Sequence, residues 1–245
     1  MVTSVAAGCE HGAECHDGTE PSRASAPEAS RAWLLIEHPG PWPHEPTETA
    51  LPAPLDAMVR TADALGIRVQ IIRRPGRRTA NDARRVFVGW TAGSGPWLRC
   101  GELAAGSAAL TDLELKELSA GIPPTFGRPA DEPVFLVCAH ARRNACCARF
   151  GAPLAQALAM RHPGQVWETT HVGGHRFAAN LVILPHGLYY GPVGVAEATA
   201  AISAYARGTI TPEHYRGRAG QPKGTQEAEY AQLTRAGSLE VAALA

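Results

Sequence analysis

The amino-acid sequence predicts an α/β protein built from two tandem βαβββα units, each with a mixed sheet. Three observations lead there: short apolar, β-branched runs alternate with segments of helical period, the same order of elements occurs twice, and a Pro- and Gly-rich stretch, GIPPTFGRPADEP at 121–133, separates the two occurrences.

In the first unit WLLIEH (33–38) has the length and composition of a strand. After a Pro-rich loop, Leu55, Met58, Val59, Ala62 and Leu65 recur at helical spacing and predict a helix over 54–65. IRVQII (67–72), RVFVGW (85–90) and WLRCGEL (97–103) follow as strands separated by Gly, Pro and Asn. A helix over 112–119 ends the unit, with Thr111 as N-cap, Glu114 completing a capping box and Gly121 at the C-cap.

The second unit runs VFLVCA (134–139), a helix over 153–161, VWETT (166–170), ANLVILP (179–185), LYYGPV (188–193) and a helix over 195–205. IIRRPGRR and TTHVGGHR occupy corresponding places, and both units close with a hairpin and a helix, which points to an internal duplication. A strand-helix-strand unit followed by an antiparallel hairpin and a last helix is the thioredoxin-like arrangement. The expected organisation is a flexible N-terminal arm at 1–30, a thioredoxin-like repeat at 31–121, a second at 122–207 and a C-terminal extension at 208–245. In that extension Tyr230 and Leu233, on a helix over 226–235, would pin the tail to the body.

The 23 basic and 23 acidic side chains cancel, leaving none of the basic excess that nucleic-acid binding needs. No apolar run approaches 18 residues and the N-terminus lacks a positively charged, then apolar, signal, so a soluble cytoplasmic protein without membrane partners is expected. In that compartment six cysteines read as thiols or metal ligands rather than as disulfides. No Cys-x-x-Cys, GxGxxG or GxxxxGK[ST] occurs, so neither thiol exchange nor a nucleotide site is implied.

The ligand-type residues concentrate between 138 and 175. Cys138 ends an apolar strand, Cys146 and Cys147 follow the polar segment AHARRNA, and His171 and His175 bracket Val-Gly-Gly after another strand. Strand ends of an α/β sheet converge on one edge, so these groups can meet. Gly173 and Gly174 disfavour a helix and allow a tight loop that turns both imidazoles inward. Thiolate and imidazole suit zinc or an iron-sulfur cluster rather than calcium or magnesium. Eight residues between Cys138 and Cys147 exceed zinc-finger spacing and favour iron, but spacing alone leaves zinc, and Cys146 in place of Cys147, open.

CAHARRNACCARFG followed by WETTHVGGHRFAANLVILPHGLYYG resembles the sucrase/ferredoxin-like family of thioredoxin-like ferredoxins, as do WLLIEHPGPW, IRRPGR and YRGR. The resemblance implies a [2Fe-2S] cluster held by Cys138, Cys147, His171 and His175, with single-electron transfer between unknown donor and acceptor proteins. Two thiolates bring an oxidised 2+ core to neutral where four would leave it at −2, so a potential above the roughly −400 mV of plant-type ferredoxins is expected. Free ring nitrogens of ligating histidines also allow proton-coupled reduction. Arg73, Arg74 and Arg77 stand where the second unit has histidines, so the first is read as a structural or docking partner without a cluster.

The alternative is a zinc-stabilised binding module using the same four side chains. A hydrolase is disfavoured, because glycoside cleavage needs paired carboxylates and Glu168, the acid nearest the site, has no evident partner. Cys9, Cys15, His11 and His16 suggest a second metal site only weakly, and Cys100 reads as core. His140 is expected in a solvated loop, and His162 and His186 at a helix end and a turn. Arg142, Arg143 and Arg176 would serve solubility, stabilise a reduced cluster or steer an acidic donor, and Trp167, Tyr189 and Tyr190 read as core.

Overall fold

A computed structural model describes residues 23–76, 83–93, 95–104 and 113–244. In chain order these form β1 (Ala32–Glu37), α1 (Ala53–Ala64), β2 (Arg68–Arg73), β3 (Ala83–Trp90), β4 (Trp97–Ala104), α2 (Leu115–Ser119) and β5 (Arg128–Pro129). There follow β6 (Val134–Cys138), α3 (Ala145–Arg161), β7 (Val166–Thr169), β8 (Leu181–Leu184), β9 (Leu188–Tyr190) and α4 (Val195–Ala206). The chain continues through β10 (Thr209–Ile210), β11 (Tyr215–Arg218), α5 (Lys223–Ala236) and β12 (Leu239–Glu240). Cys9, Cys15, His11, His16, Arg77 and Thr111 lie outside the described residues.

The separate sheets expected for the two units are one. Among the described residues ten strands run β11-β9-β8-β6-β7-β2-β1-β3-β4-β5 in a mixed sheet that is mostly antiparallel, with parallel pairs at β1-β2 and β6-β7. The halves share the strand order second-first-third-fourth and meet where β2 pairs antiparallel with β7, Ile72 opposite Thr169 and Arg73 opposite Glu168. Pairing β2 with β7 removes two edges that would otherwise present unpaired N–H and C=O groups.

Alternation along the strands divides the core. Leu34 and Ile36 of β1 pack with Leu55, Val59 and Ala62 of α1, and Phe135 and Val137 of β6 pack with Leu154 and Leu158 of α3 and Ile202 of α4. The opposite face gathers Trp33, Leu35, Leu136, Cys138, Trp167 and Tyr189 into one cluster shared by both halves. On that face Phe87 of β3 meets the Trp167 ring of β7 edge-on at 5.6 Å, and Thr91 Oγ1 donates to the Ala219 carbonyl at 3.4 Å. Strands far apart in the sheet therefore touch, so the sheet curls around this cluster.

Several boundaries differ from expectation. α3 begins at Ala145, because Asn144 caps it by accepting from the Cys146 amide at 2.9 Å, and Pro153 lies inside the helix. α2 is shorter than expected and starts after Glu114, whose φ of 41° makes it the N-cap residue rather than the third residue of a capping box. The 121–133 linker is fastened to the sheet edge, since β5 pairs with β4 and Phe126 is buried. Residues grouped with the arm are also tethered: the Ser25 amide donates to the Arg216 carbonyl at 2.8 Å and Ala26 is buried. α5 docks as expected, with Leu233 fully buried and Tyr230 packed against the same cluster. No helix among the described residues is long and apolar enough to cross a membrane.

The turn after β8 carries a pH-dependent contribution. His186 Nδ1 lies 2.6 Å from the Tyr205 hydroxyl of α4, and burial, with Arg218 nearby, pushes its pKa down to about 4. The unfolded ring titrates near 6.5, so the stability is fully present above that pH and lost as pH falls toward 4. The ring is only half-buried, which screens the contribution to about 1–2 kcal/mol. Urea titrations at stepwise lower pH should show a smaller stability loss in His186→Gln than in wild type, and parallel curves would remove the assignment.

Candidate metal centre

Three of the four expected ligands converge. The Sγ atoms of Cys138 and Cys147 and a ring nitrogen of His171 lie within 4.8 Å of one another. His171 Nδ1 is 3.9 Å from Cys138 Sγ and 3.7 Å from Cys147 Sγ. Cys146, although buried, is not in this group. His175 is a neighbour of His171, ring centroids 6.1 Å apart and tilted by 38°, and is not in the group of three.

Each donor is placed by a local rule. Cys138 ends the fully buried strand β6, and its amide donates to the Asn180 carbonyl at 3.1 Å. Cys147 sits on the first turn of α3 rather than at a strand end, and its amide donates to the Asn144 carbonyl at 3.1 Å. α3 reaches Cys138 because residue 151 is glycine: a Cβ there would stand 1.8 Å from the Cys138 carbonyl oxygen. Gly151→Ala should push the helix outward, costing about 3 kcal/mol by overpacking and separating Cys147 from Cys138. A urea midpoint and metal content equal to wild type would refute that coupling.

The thiols behave as a pair that shares one proton. Hydrogen bonding from Cys147 holds Cys138 well below the ordinary thiol range despite its burial, and the same bond with burial raises Cys147.

The histidine loop is held from outside. His171 N–H donates to His140 Nδ1 at 3.1 Å, and His140 Nε2 lies 2.6 Å from the Pro43 carbonyl. His140 is thus the neutral Nε2–H tautomer, which burial, lowering its pKa, also favours. It is 1% exposed, a buried bracket and not the solvated loop residue expected from the sequence. Four successive loop carbonyls are each bound by a different side chain: His171 by Arg68 at 3.3 Å, Val172 by the Tyr189 hydroxyl at 3.2 Å, Gly173 by Arg216 at 3.4 Å and Gly174 by Asn180 at 3.0 Å. Gly173 and Gly174 have φ of 95° and 68°, which gives both glycines their reason.

Charges around the site are largely committed internally. Arg73 donates to Glu168 at 2.6 Å in a buried pair and lies over Trp42 at 4.0 Å. Glu168 is thus held in an ion pair with Arg73. Arg74 covers Trp167 at 3.6 Å and bonds the Gly164 carbonyl at 2.8 Å. These two arginines thus fasten the halves together. Arg143 pairs with Glu45, while Arg142 and Arg176 are exposed.

Two soft sulfurs and an imidazole form a donor set suited to zinc or iron. A tetrahedral ion with bonds of 2.0–2.3 Å places sulfur and nitrogen about 3.5 Å apart, close to the 3.7 and 3.9 Å found.

Over 158 residues, covering 58% of this chain, the sequence is 27% identical to the "Altered inheritance of mitochondria protein 32" of Eremothecium gossypii. The chain spans about half of that relative's length, 47%. No solved structure matches. The sucrase/ferredoxin-like family model matches residues 25–217, from the serine that binds Arg216 through the ligand loop to β11. The chain belongs to the sucrase/ferredoxin-like family.

Proposed function

We propose that the chain is a one-electron redox protein in which Cys138, Cys147, His171 and His175 hold a [2Fe-2S] cluster, exchanging electrons with donor and acceptor proteins. The observation that carries the reading is the convergence of two buried thiols and one imidazole, with a second imidazole ring 6.1 Å from the first. Family membership supports it. When bound, the cluster supplies a single-electron couple. The chain's own part is to bury the thiols, to favour ionisation of one of them and to fix the histidine loop. The shared strand order of the two halves supports a pair of thioredoxin-like units, the second bearing the ligands.

A zinc-stabilised binding module is the second reading, favoured by the 3.7 and 3.9 Å sulfur-nitrogen distances. Were a two-iron cluster held there, Cys138 and Cys147 would be its sulfur ligands and His171 and His175 its nitrogen ligands. Protein purified without oxygen should contain iron and acid-labile sulfide in equal amounts and lose its colour on dithionite addition. Stoichiometric zinc in a colourless sample would replace the redox reading with the zinc one.

A further inference from the structure

Arg216 is 1% exposed, yet no carboxylate is among its partners within the described residues. Its guanidinium donates to the Ser25 hydroxyl at 3.0 Å, the Ser25 carbonyl at 2.8 Å, the Gly173 carbonyl at 3.4 Å and Asn180 Oδ1. It lies over the rings of Phe177 at 4.7 Å and Tyr189 at 5.6 Å. The slot is tight: a Cβ at Gly174 would fall 2.2 Å from Arg216 Nη2, and one at Gly191 2.6 Å from Asn180 Oδ1. An isolated buried cation costs several kcal/mol unless negative charge lies near. Among the described residues the Cys138 thiol is one group whose charge acts on the guanidinium, and the two are linked through Asn180, which binds Arg216 by its side chain and receives the Cys138 amide on its carbonyl at 3.1 Å.

We propose that Arg216 is the positioning residue and built-in counter-charge of the metal centre: it fixes the loop bearing His171 and His175 and offsets the negative charge that the thiolates bring. Its role in metal retention follows from the ligand geometry alone, whereas its effect on electron uptake rests on the cluster reading above. One electron enters, no bond breaks, and the added negative charge is the species that the guanidinium stabilises.

The test compares full-length wild type with Arg216→Lys and Arg216→Met, each as purified. Bound metal is released to excess chromogenic chelator, and the midpoint potential is read by dye-mediated titration. Arg216→Met should release metal about 10- to 100-fold faster, as losses of supporting hydrogen bonds do. Its reduction equilibrium should weaken about tenfold, which is 59 mV for one electron. Arg216→Lys should keep most of the potential but release metal faster, because an ammonium cannot span acceptors arranged for a fork. Unchanged release in both variants overturns the proposal, and equal potential shifts in both overturn its counter-charge part. If Arg216→Met does not fold, Arg216→Lys decides by the same release criterion. A zinc-only sample would defeat the redox reading while the release rates still judge Arg216.

Discussion

Cys138→Ser and Cys147→Ser proteins are expected to come off purification without bound metal, and His171→Ala with little. Each change removes one of the three atoms that meet within 4.8 Å, and a serine hydroxyl is a hard, protonated oxygen in place of a soft thiolate. Cys146→Ser provides the control, since it makes the same substitution at a buried neighbouring position outside the cluster of donors. It should keep its metal, so a loss confined to positions 138 and 147 reports ligation rather than a polar group placed in a core. Metal retained by Cys147→Ser and lost by Cys146→Ser would reverse the assignment. His175→Ala should also weaken retention, to a degree that measures how far this imidazole joins the site.

The second large effect is expected at the seam between the halves. Glu168→Ala leaves Arg73 charged and unpaired where its side chain is only 12% exposed, a loss of about 3–5 kcal/mol. At 2–4 °C per kcal/mol for a chain of this size, the melting temperature should fall by roughly 10 °C. Replacing both partners with apolar residues, Arg73→Met with Glu168→Leu, should recover most of it, because no charge is then stranded. Differential scanning calorimetry decides: a single variant as stable as wild type would mean that the pair does not hold β2 to β7.

The legible parts of this fold are those written in local pattern. β6 and β8 are uninterrupted apolar runs, and the helical spacing of Leu55, Met58, Val59 and Ala62 marks the buried face of α1. The start of α3 was misplaced because Pro153 resembles a helix opening, while the true signal, Asn144 acting as cap, lies in a segment of mixed polarity. β11 is short, interrupted by Gly217 at φ 114° between Arg216 and Arg218, and buried arginines run against the ordinary distribution of charge. The merging of the sheets depends on the two residue pairs between β2 and β7, a long-range pairing that no periodicity encodes.

The site divides the same way. Thiol and imidazole chemistry is visible in residue type, so Cys138, His171 and one of the cysteines at 146 and 147 could be nominated from the sequence, and the geometry groups Cys147 with the other two. The supports were not visible, because Arg68, Tyr189, Asn180 and Arg216 act on backbone carbonyls, which every residue possesses. Their sole sequence trace is Gly173-Gly174, residues that accept the positive φ and leave room for Arg216.

The central proposal is that an iron cofactor is held by sulfur on one side and imidazole nitrogen on the other. X-ray absorption of the protein as isolated tests it most directly. The account predicts an iron edge with both sulfur and nitrogen scatterers and an iron-iron vector, the nitrogen contribution falling in His171→Ala. A zinc edge without iron, or an iron spectrum with sulfur alone, would contradict it.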